Sequence, residues 1–99
     1  MSPPESMPKL SVCVITYNQE RYISQCLQSI IDQQTDFEFD VVVGDDFSTD
    51  ETPHIIQEFA NRYPGRITLI LNKSKIGGTQ NYVSTHLRAR GEYVAHIDA

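Results

Sequence analysis

The chain has 99 residues, of which 39% are hydrophobic and 21% charged, and its formal net charge at pH 7 is −5. This length allows one small domain, predicted over 9–99 behind a flexible N-terminal tail over 1–8. The acidic balance argues against nucleic acid as a partner, because its binding needs a contiguous basic surface. The sequence has no apolar run near the roughly 20 residues of a transmembrane segment and no signal-peptide layout. We therefore expect a cytoplasmic protein, with any membrane association made through parts outside this sequence.

The first predicted elements are a buried strand and an amphipathic helix. Leu10–Thr16 is a nearly continuous apolar run, which is typical of a parallel strand covered on both faces. Asn18 is predicted as the N-cap of the following helix, with Tyr17 and Tyr22 as its hydrophobic staple. The helix is indicated by apolar residues at helical spacing, namely Tyr22, Ile23, Cys26, Leu27, Ile30 and Ile31.

The same alternation continues through the middle of the chain. Phe39–Asp45 predicts a second buried strand, and Thr52 followed by Pro53 predicts the start of a second helix. The apolar stripe of that helix ends at the Pro64-Gly65 pair. Its members are Ile55, Ile56, Phe59, Ala60 and Tyr63.

The last predicted elements complete a β-α-β-α-β-α-β order. Ile67–Leu71 predicts strand three, 78–90 a third helix that ends at Gly91, and Glu92–Ile97 strand four. This order predicts an α/β fold of three layers, a mostly parallel, Rossmann-like sheet with helices on both faces. Ligands of such sheets bind beyond the carboxyl ends of the strands, where the polar residues of this chain gather.

Four carboxylates lie within seven positions at and after the end of strand two. They are Asp45, Asp46, Asp50 and Glu51. Helix capping explains the last two, and Ser48 with Glu51 has the spacing of a capping box. It does not explain Asp45 and Asp46, because adjacent like charges at the end of a strand repel each other. This pair therefore predicts a functional site.

Four segments resemble, in order, the opening segments of the family 2 inverting glycosyltransferases: LSVCVITYNQERYISQCLQSI, FDVVVGDDFSTDET, KIGGTQN and ARGEYVAHIDA. That family has the nucleotide-diphospho-sugar transferase fold called GT-A. The resemblance implies that 9–99 are the donor-binding subdomain, the N-terminal half of such a fold. The metal motif D-x-D would begin at Asp98. We therefore expect the catalytic residues beyond Ala99 and expect the 99-residue chain to be inactive by itself.

The resemblance assigns Asp46 to the nucleotide base. A carboxylate only accepts hydrogen bonds, and uracil and thymine offer an N3–H where cytosine offers an acceptor. The site would therefore favour uracil or thymine, and a UDP-sugar is the expected donor. Gln80 stands where the family commonly has arginine, a departure that weakens a cationic contact from helix three. Lys73 and Lys75 are interpreted as solvated loop residues rather than diphosphate contacts. The other nucleotide-site residues implied by the resemblance are Thr16, Tyr17, Asn18, Asp45 and Asp98.

A nucleotide-diphospho-sugar is an anion, and an acidic rim would repel it unless a divalent cation bridged the two. The resemblance implies Mg²⁺ or Mn²⁺ in the full-length protein, with Asp98 as a partial or indirect ligand. The three histidines have no ligand-like spacing. Cys13 and Cys26 occupy apolar positions and are predicted to be buried, reduced thiols.

Two other classes remain open from the sequence. In a receiver-like signalling module, acidic pairs at strand ends hold Mg²⁺, but here the pair follows strand two and no lysine ends a later strand. The second is a noncatalytic nucleotide-binding or assembly domain. In the fold of the family that the chain resembles, strand four pairs with strand one on one side and with later strands on the other. With the sequence ending at Ala99, Glu92–Ile97 would be an exposed edge strand, and we expect a homodimer through it.

Overall fold

The computed structural model describes residues 7–99. Its elements follow the predicted order: β1 (Leu10–Thr16), α1 (Ile23–Ile31), β2 (Phe39–Asp45), α2 (Thr52–Arg62), β3 (Ile67–Leu71), α3 (Gly78–His86) and β4 (Tyr93–Asp98). All strands pair in parallel, in the order β3-β2-β1-β4. The predicted fold class, a Rossmann-like α/β sheet with helices on both faces, is confirmed. None of the helices within 7–99 is long and apolar enough to cross a membrane.

One face of the sheet carries the apolar core. The register pairs Val12 with Val41 and Val14 with Val43, so these four side chains point to the same side. The buried residues of α1 and α2 that pack on them are Ile23, Leu27, Ile30, Ile31, Ile56 and Phe59. Burying an aliphatic or aromatic side chain of this size contributes about 1.5–3 kcal/mol. The two apolar helical stripes of the sequence therefore hold this layer together.

The other face is covered by α3, which is held by polar contacts. Asn81 and Thr85 are its buried residues. Gly44 on β2 lets the helix approach, because a Cβ at this position would overlap the Thr85 hydroxyl and lie 2.9 Å from Asn81 Oδ1. Asn81 Nδ2 also donates to the Gly44 carbonyl at 3.0 Å. Close approach and hydrogen bonding thus replace an apolar stripe in α3.

The third helix ends earlier than predicted. It stops at His86, and the next residues form tighter i→i+3 hydrogen bonds, from Arg88 N–H to Thr85 and from Ala89 N–H to His86. Leu87, the residue that follows the helix, is largely exposed. Without an apolar partner for that side chain, packing does not extend the helix to residue 90.

The prediction of Asn18 as the N-cap of α1 is wrong. A turn precedes the helix, in which the N–H groups of Tyr22 and Ile23 both donate to the Gln19 carbonyl. Tyr22 is the residue at the N-cap, and no side chain caps the helix there. Asn18 has a φ of 50°, in the left-handed region that asparagine tolerates better than most residues.

Both cysteines are free thiols. Cys13 is fully buried in β1, as predicted, whereas Cys26 is only half-buried on α1. Burial raises the pKa of both thiols, and Asp40 raises that of Cys13 further. Both thiols therefore stay protonated at neutral pH.

The edge of the sheet at β4 is open in the described part of the chain. Tyr93 and Val94 are 60% and 47% exposed, and β4 pairs with β1 alone. Beneath β4 an apolar groove of about 340 Å³ runs along α1. Its apolar lining is Leu10, Val12, Ile30, Phe39, Ala95 and Ile97. The strand thus presents both unpaired backbone groups and an uncovered apolar face.

Candidate functional site

The carboxyl ends of β1, β2 and β4 border a cleft of about 210 Å³. It lies where the strand order changes direction, since β2 is on one side of β1 and β4 on the other. Ligands of open α/β sheets bind at such points. Four predicted site residues line the cleft, namely Thr16, Tyr17, Asp46 and Asp98. The predicted residues Asn18, Asp45 and Gln80 do not line it.

Asp46 organises one wall of the cleft and is only 3% exposed. Its Oδ1 accepts the N–H of Ile76 at 2.8 Å and the side chain of Asn72 at 3.2 Å. Its Oδ2 accepts the N–H of Gly77 at 2.9 Å and lies 3.6 Å from Lys75 Nζ. Burial by itself would raise the pKa of Asp46, but these hydrogen bonds and the lysine charge hold it below its ordinary value. Asp46 is therefore an anion that fixes the loop between β3 and α3.

Two asparagines connect this loop to the sheet, and sequence reasoning did not assign them to the site. Asn72 Nδ2 donates to Asn81 Oδ1 at 3.0 Å, and Asn81 in turn donates to the carbonyl of Gly44. Asn81 also lines the cleft. The signals that could have found them are the position of Asn72 directly after β3 and that of Asn81 at the end of the segment KIGGTQN.

Asp45 does not line the cleft and stabilises its own loop. Its Oδ2 accepts the N–H of Ser48 at 3.0 Å, and its Oδ1 accepts the hydroxyl of the same residue at 2.6 Å. Between them Phe47 has a φ of 62°, which this closure enforces. Ser48 is thus bonded to Asp45, and the capping box predicted with Glu51 does not form.

The rest of the acidic segment joins the loop after β2 to the loop after β1. Asp50 accepts the N–H groups of Thr52 at 2.9 Å and Glu20 at 3.2 Å. Asn18 Oδ1 accepts the N–H of Thr49 at 2.8 Å. Burial by itself would raise the pKa of Asp50, but its hydrogen bonds lower it. The aspartates of the segment are therefore crowded together because each accepts backbone N–H groups of a loop.

The wall from β1 carries a polar group without a partner. Thr16 is buried, and within 7–99 its hydroxyl makes no hydrogen bond. The hydroxyl of Thr85 on α3 is likewise unpaired, and both hydroxyls are shielded from solvent. In the same cleft as Thr16, Lys75 Nζ lies 3.5 Å from the ring centre of Tyr17. Lys75, interpreted from the sequence as a solvated loop residue, has a half-exposed side chain whose ammonium group bridges Tyr17 and Asp46.

Asp98 ends β4 at the cleft, where its side chain is 76% exposed. Its Oδ1 lies 3.0 Å from His96 Nε2. Within the described residues, no group of three or more His, Cys, Asp or Glu side chains could hold a metal ion. Asp98 and Asp46 are the two side-chain carboxylates that line the cleft in this part of the chain, and residues 7–99 do not by themselves form a metal site.

A larger groove of about 480 Å³ lies at the opposite, amino ends of the strands. The carboxylate of Asp40 in this groove accepts the Ser11 hydroxyl at 2.6 Å and lies 3.8 Å from Arg90. The buried carboxylate of Asp40 is thus paired within the fold. Ligands of parallel sheets bind at the other ends of the strands, and the smaller cleft is the candidate site.

Residues 11–99 match the family described as Glycosyl transferase family 2. The match covers nearly the whole chain and includes every residue that lines the cleft. The chain therefore belongs to glycosyl transferase family 2. This membership does not favour a receiver-like module or a noncatalytic domain.

Curated relatives and solved structures agree with this family. An uncharacterized protein of Mycobacterium tuberculosis is 44% identical over 86 residues, which are 87% of this chain and 25% of that protein. The poly(ribitol-phosphate) beta-N-acetylglucosaminyltransferase TarS of Staphylococcus aureus is 38% identical over 96 residues, 94% of this chain and 16% of TarS. This chain thus spans a quarter or less of the length of these two relatives.

Two solved structures share the fold. The mannosyltransferase PcManGT from Pyrobaculum calidifontis, in complex with GDP-Man and Mn²⁺, aligns with a TM-score of 0.81 and 31% identity, over 96% of this chain and 28% of that one. TarS 1-349 in complex with UDP aligns with a TM-score of 0.79 and 36% identity, over 91% and 27%.

Proposed function

We propose that this chain binds the donor of an inverting glycosyltransferase of the GT-A type. The proposed donor is a UDP-sugar, and the whole protein would transfer its sugar to an acceptor in the cytoplasm. The observation that carries the proposal is the buried anion of Asp46 in the cleft, an acceptor-only group beside the Tyr17 ring. The family and the UDP complex of TarS support it.

The hydrogen bonds of Asp46 leave room for a uracil base. A carboxylate has about four acceptor positions, and three are taken by the N–H groups of Ile76 and Gly77 and the side chain of Asn72. The fourth, on Oδ2, would accept the uracil N3–H while the base lies against Tyr17. Cytosine has an acceptor at this position, and CDP should therefore bind more weakly than UDP.

We propose that the full-length protein also needs a divalent cation, Mg²⁺ or Mn²⁺. The support is that PcManGT was solved with Mn²⁺ as well as with its nucleotide sugar. Asp98 would contribute one carboxylate, directly or through water, and the other ligands would come from outside residues 7–99. When bound, such a cation neutralises the diphosphate that leaves with the nucleotide.

The first prediction separates binding from catalysis. The 99-residue chain should bind UDP in the millimolar range, about −4 kcal/mol, with little help from Mn²⁺. It should release no UDP from UDP-sugars above background, because a base and a complete metal site contribute orders of magnitude to such a reaction. NMR titration and a UDP-release assay measure the two quantities, with CDP and GDP as competitors. Metal-stimulated turnover by this chain would refute the proposed separation of donor binding from catalysis. The full-length protein, in contrast, should show such turnover.

We propose in addition that the 99-residue chain self-associates through β4. The exposed Tyr93 and Val94 and the apolar groove beneath the strand support this, since open edges pair with other strands. Light scattering at about 100 μM should detect a dimer, and Val94→Lys should shift it to monomer by placing a charge on the edge. A wild-type monomer at that concentration would contradict the proposal.

A further inference from the structure

Lys75 is the cation of the candidate site. Of the described residues that line the cleft, it alone carries a positive side chain. Gln80, at the position where a cationic contact was expected from the family, is exposed on α3 and lies outside the lining. If this chain gives a direct positive charge to an anionic ligand in the cleft, the charge comes from the loop before α3.

In the structure Lys75 lies where a base would bind. Its Nζ is 3.5 Å from the centre of the Tyr17 ring and 3.6 Å from Oδ2 of Asp46. Those are the ring face and the carboxylate oxygen that the proposed function assigns to uracil. A base that stacks on Tyr17 and donates its N3–H to Asp46 must therefore displace the ammonium group.

The ammonium group of Lys75 can move, whereas the backbone next to Lys75 is held in place. The Lys75 side chain is 52% exposed, and both cation–π contacts and ion pairs are weak at exposed positions. The next two residues, Ile76 and Gly77, are held by hydrogen bonds from their N–H groups to the buried carboxylate of Asp46. The lysine stem therefore stays anchored beside the cleft while its flexible end can change partners.

We propose that Lys75 exchanges partners when the donor binds: it leaves Tyr17 and Asp46 to the base and pairs with the diphosphate. The inference rests on the proposed function. Before binding, Lys75 neutralises Asp46 and covers Tyr17. After binding, the N3–H of the base replaces it at the carboxylate, and its charge meets the phosphate oxygens, which are stronger partners than an aromatic ring. Lys75 thus supplies the cationic contact that the family commonly makes with an arginine at the position of Gln80.

The test compares UDP with uridine, which lacks the phosphates. Lys75→Met should weaken UDP binding by about tenfold, equivalent to about 1.4 kcal/mol, because the diphosphate loses its cation. Uridine should bind Lys75→Met at least as tightly as wild type, because the base no longer competes with the ammonium group. Lys75→Arg should keep most of the UDP affinity. Lys73→Met is the matched control in the same loop and should change neither affinity, since Lys73 does not line the cleft.

NMR titrations of the 99-residue chain measure all of these affinities, and the Tyr17 ring signals should shift in Lys75→Met before any ligand is added. Equal UDP affinity of Lys75→Met and wild type would overturn the proposed exchange, as would an equal loss for UDP and uridine. A wild-type chain that binds neither ligand would instead refute the proposed function itself, and the exchange with it.

Discussion

Asp46→Asn is expected to destabilise the chain by about 1–3 kcal/mol and to weaken UDP binding by roughly ten- to a hundredfold. The carboxylate is buried and accepts the N–H groups of Ile76 and Gly77. An amide in its place turns an NH₂ group toward one of these donors and removes the charge from all of the bonds. The same change removes the anion proposed to accept the uracil N3–H. Urea denaturation and NMR titration with UDP measure the two effects.

Asp50→Asn is the matched control, because Asp50 also accepts two backbone N–H groups but does not line the cleft. It should lower the free energy of unfolding slightly and leave the UDP affinity unchanged. If Asp46→Asn were as stable as wild type, the role of Asp46 in fixing the β3–α3 loop would be wrong. If both variants lost the same UDP affinity, Asp46 would not be the base-reading residue.

The lowered pKa values of the two aspartates give the expected pH dependence. A carboxyl with a lower pKa in the folded than in the unfolded chain contributes stability above the unfolded value, near 3.8. This contribution is lost as the pH falls through 3.8 toward the folded pKa. The free energy of unfolding of the wild-type chain should therefore fall in this range, and less steeply in Asp46→Asn. An identical slope in both chains would contradict the assignment.

Gly44→Ala is expected to destabilise the chain by about 1–3 kcal/mol, the usual effect of overpacking a buried contact. The added methyl group would overlap the Thr85 hydroxyl and crowd Asn81, so α3 must move away from β2. That movement stretches the hydrogen bond from Asn81 to the Gly44 carbonyl, which links the helix to Asn72 and the Asp46 loop. UDP affinity should fall together with stability, although Gly44 does not line the cleft.

Gly78→Ala is the control for this substitution. A Cβ at Gly78, the first residue of α3, would have no atom within 4 Å. Since alanine is a better helix former than glycine, this variant should be as stable as wild type or more stable by up to about 1 kcal/mol. A Gly44→Ala chain as stable as Gly78→Ala would show that α3 does not need its close approach to β2.

The sequence predicts the strands well because a buried parallel strand is a nearly continuous run of apolar residues. The bounds of β1, β2 and β3 agree with the predictions, and β4 begins and ends one residue later than expected. The errors concern helix ends. Asn18 bonds to Thr49, 31 positions away, instead of capping a helix, and α3 has a polar buried face that gives no periodic apolar signal.

The position of the candidate site can be predicted from the sequence, but the hydrogen bonds within it cannot. Asp46, Thr16 and Tyr17 stand at the carboxyl ends of predicted parallel strands, which meet at one edge of the sheet. These residues line the same cleft. The partners of Asp46 are backbone N–H groups about thirty positions later in the chain, and no local pattern encodes such contacts. For the same reason the place of Lys75 over Tyr17 follows only from the folded loop.

The most direct test of the proposed donor site is NMR shift mapping of the ¹⁵N-labelled 99-residue chain during titration with UDP. We expect saturable shifts of the amides of Tyr17, Asp46 and Gly77, no comparable shifts near Arg66 and Arg90, and weaker effects with CDP. The larger groove at the amino ends of the strands contains those two arginines and is the alternative place for an anion. Shifts confined to that groove, or none with UDP at any concentration, would contradict the donor site proposed at the carboxyl ends of the strands.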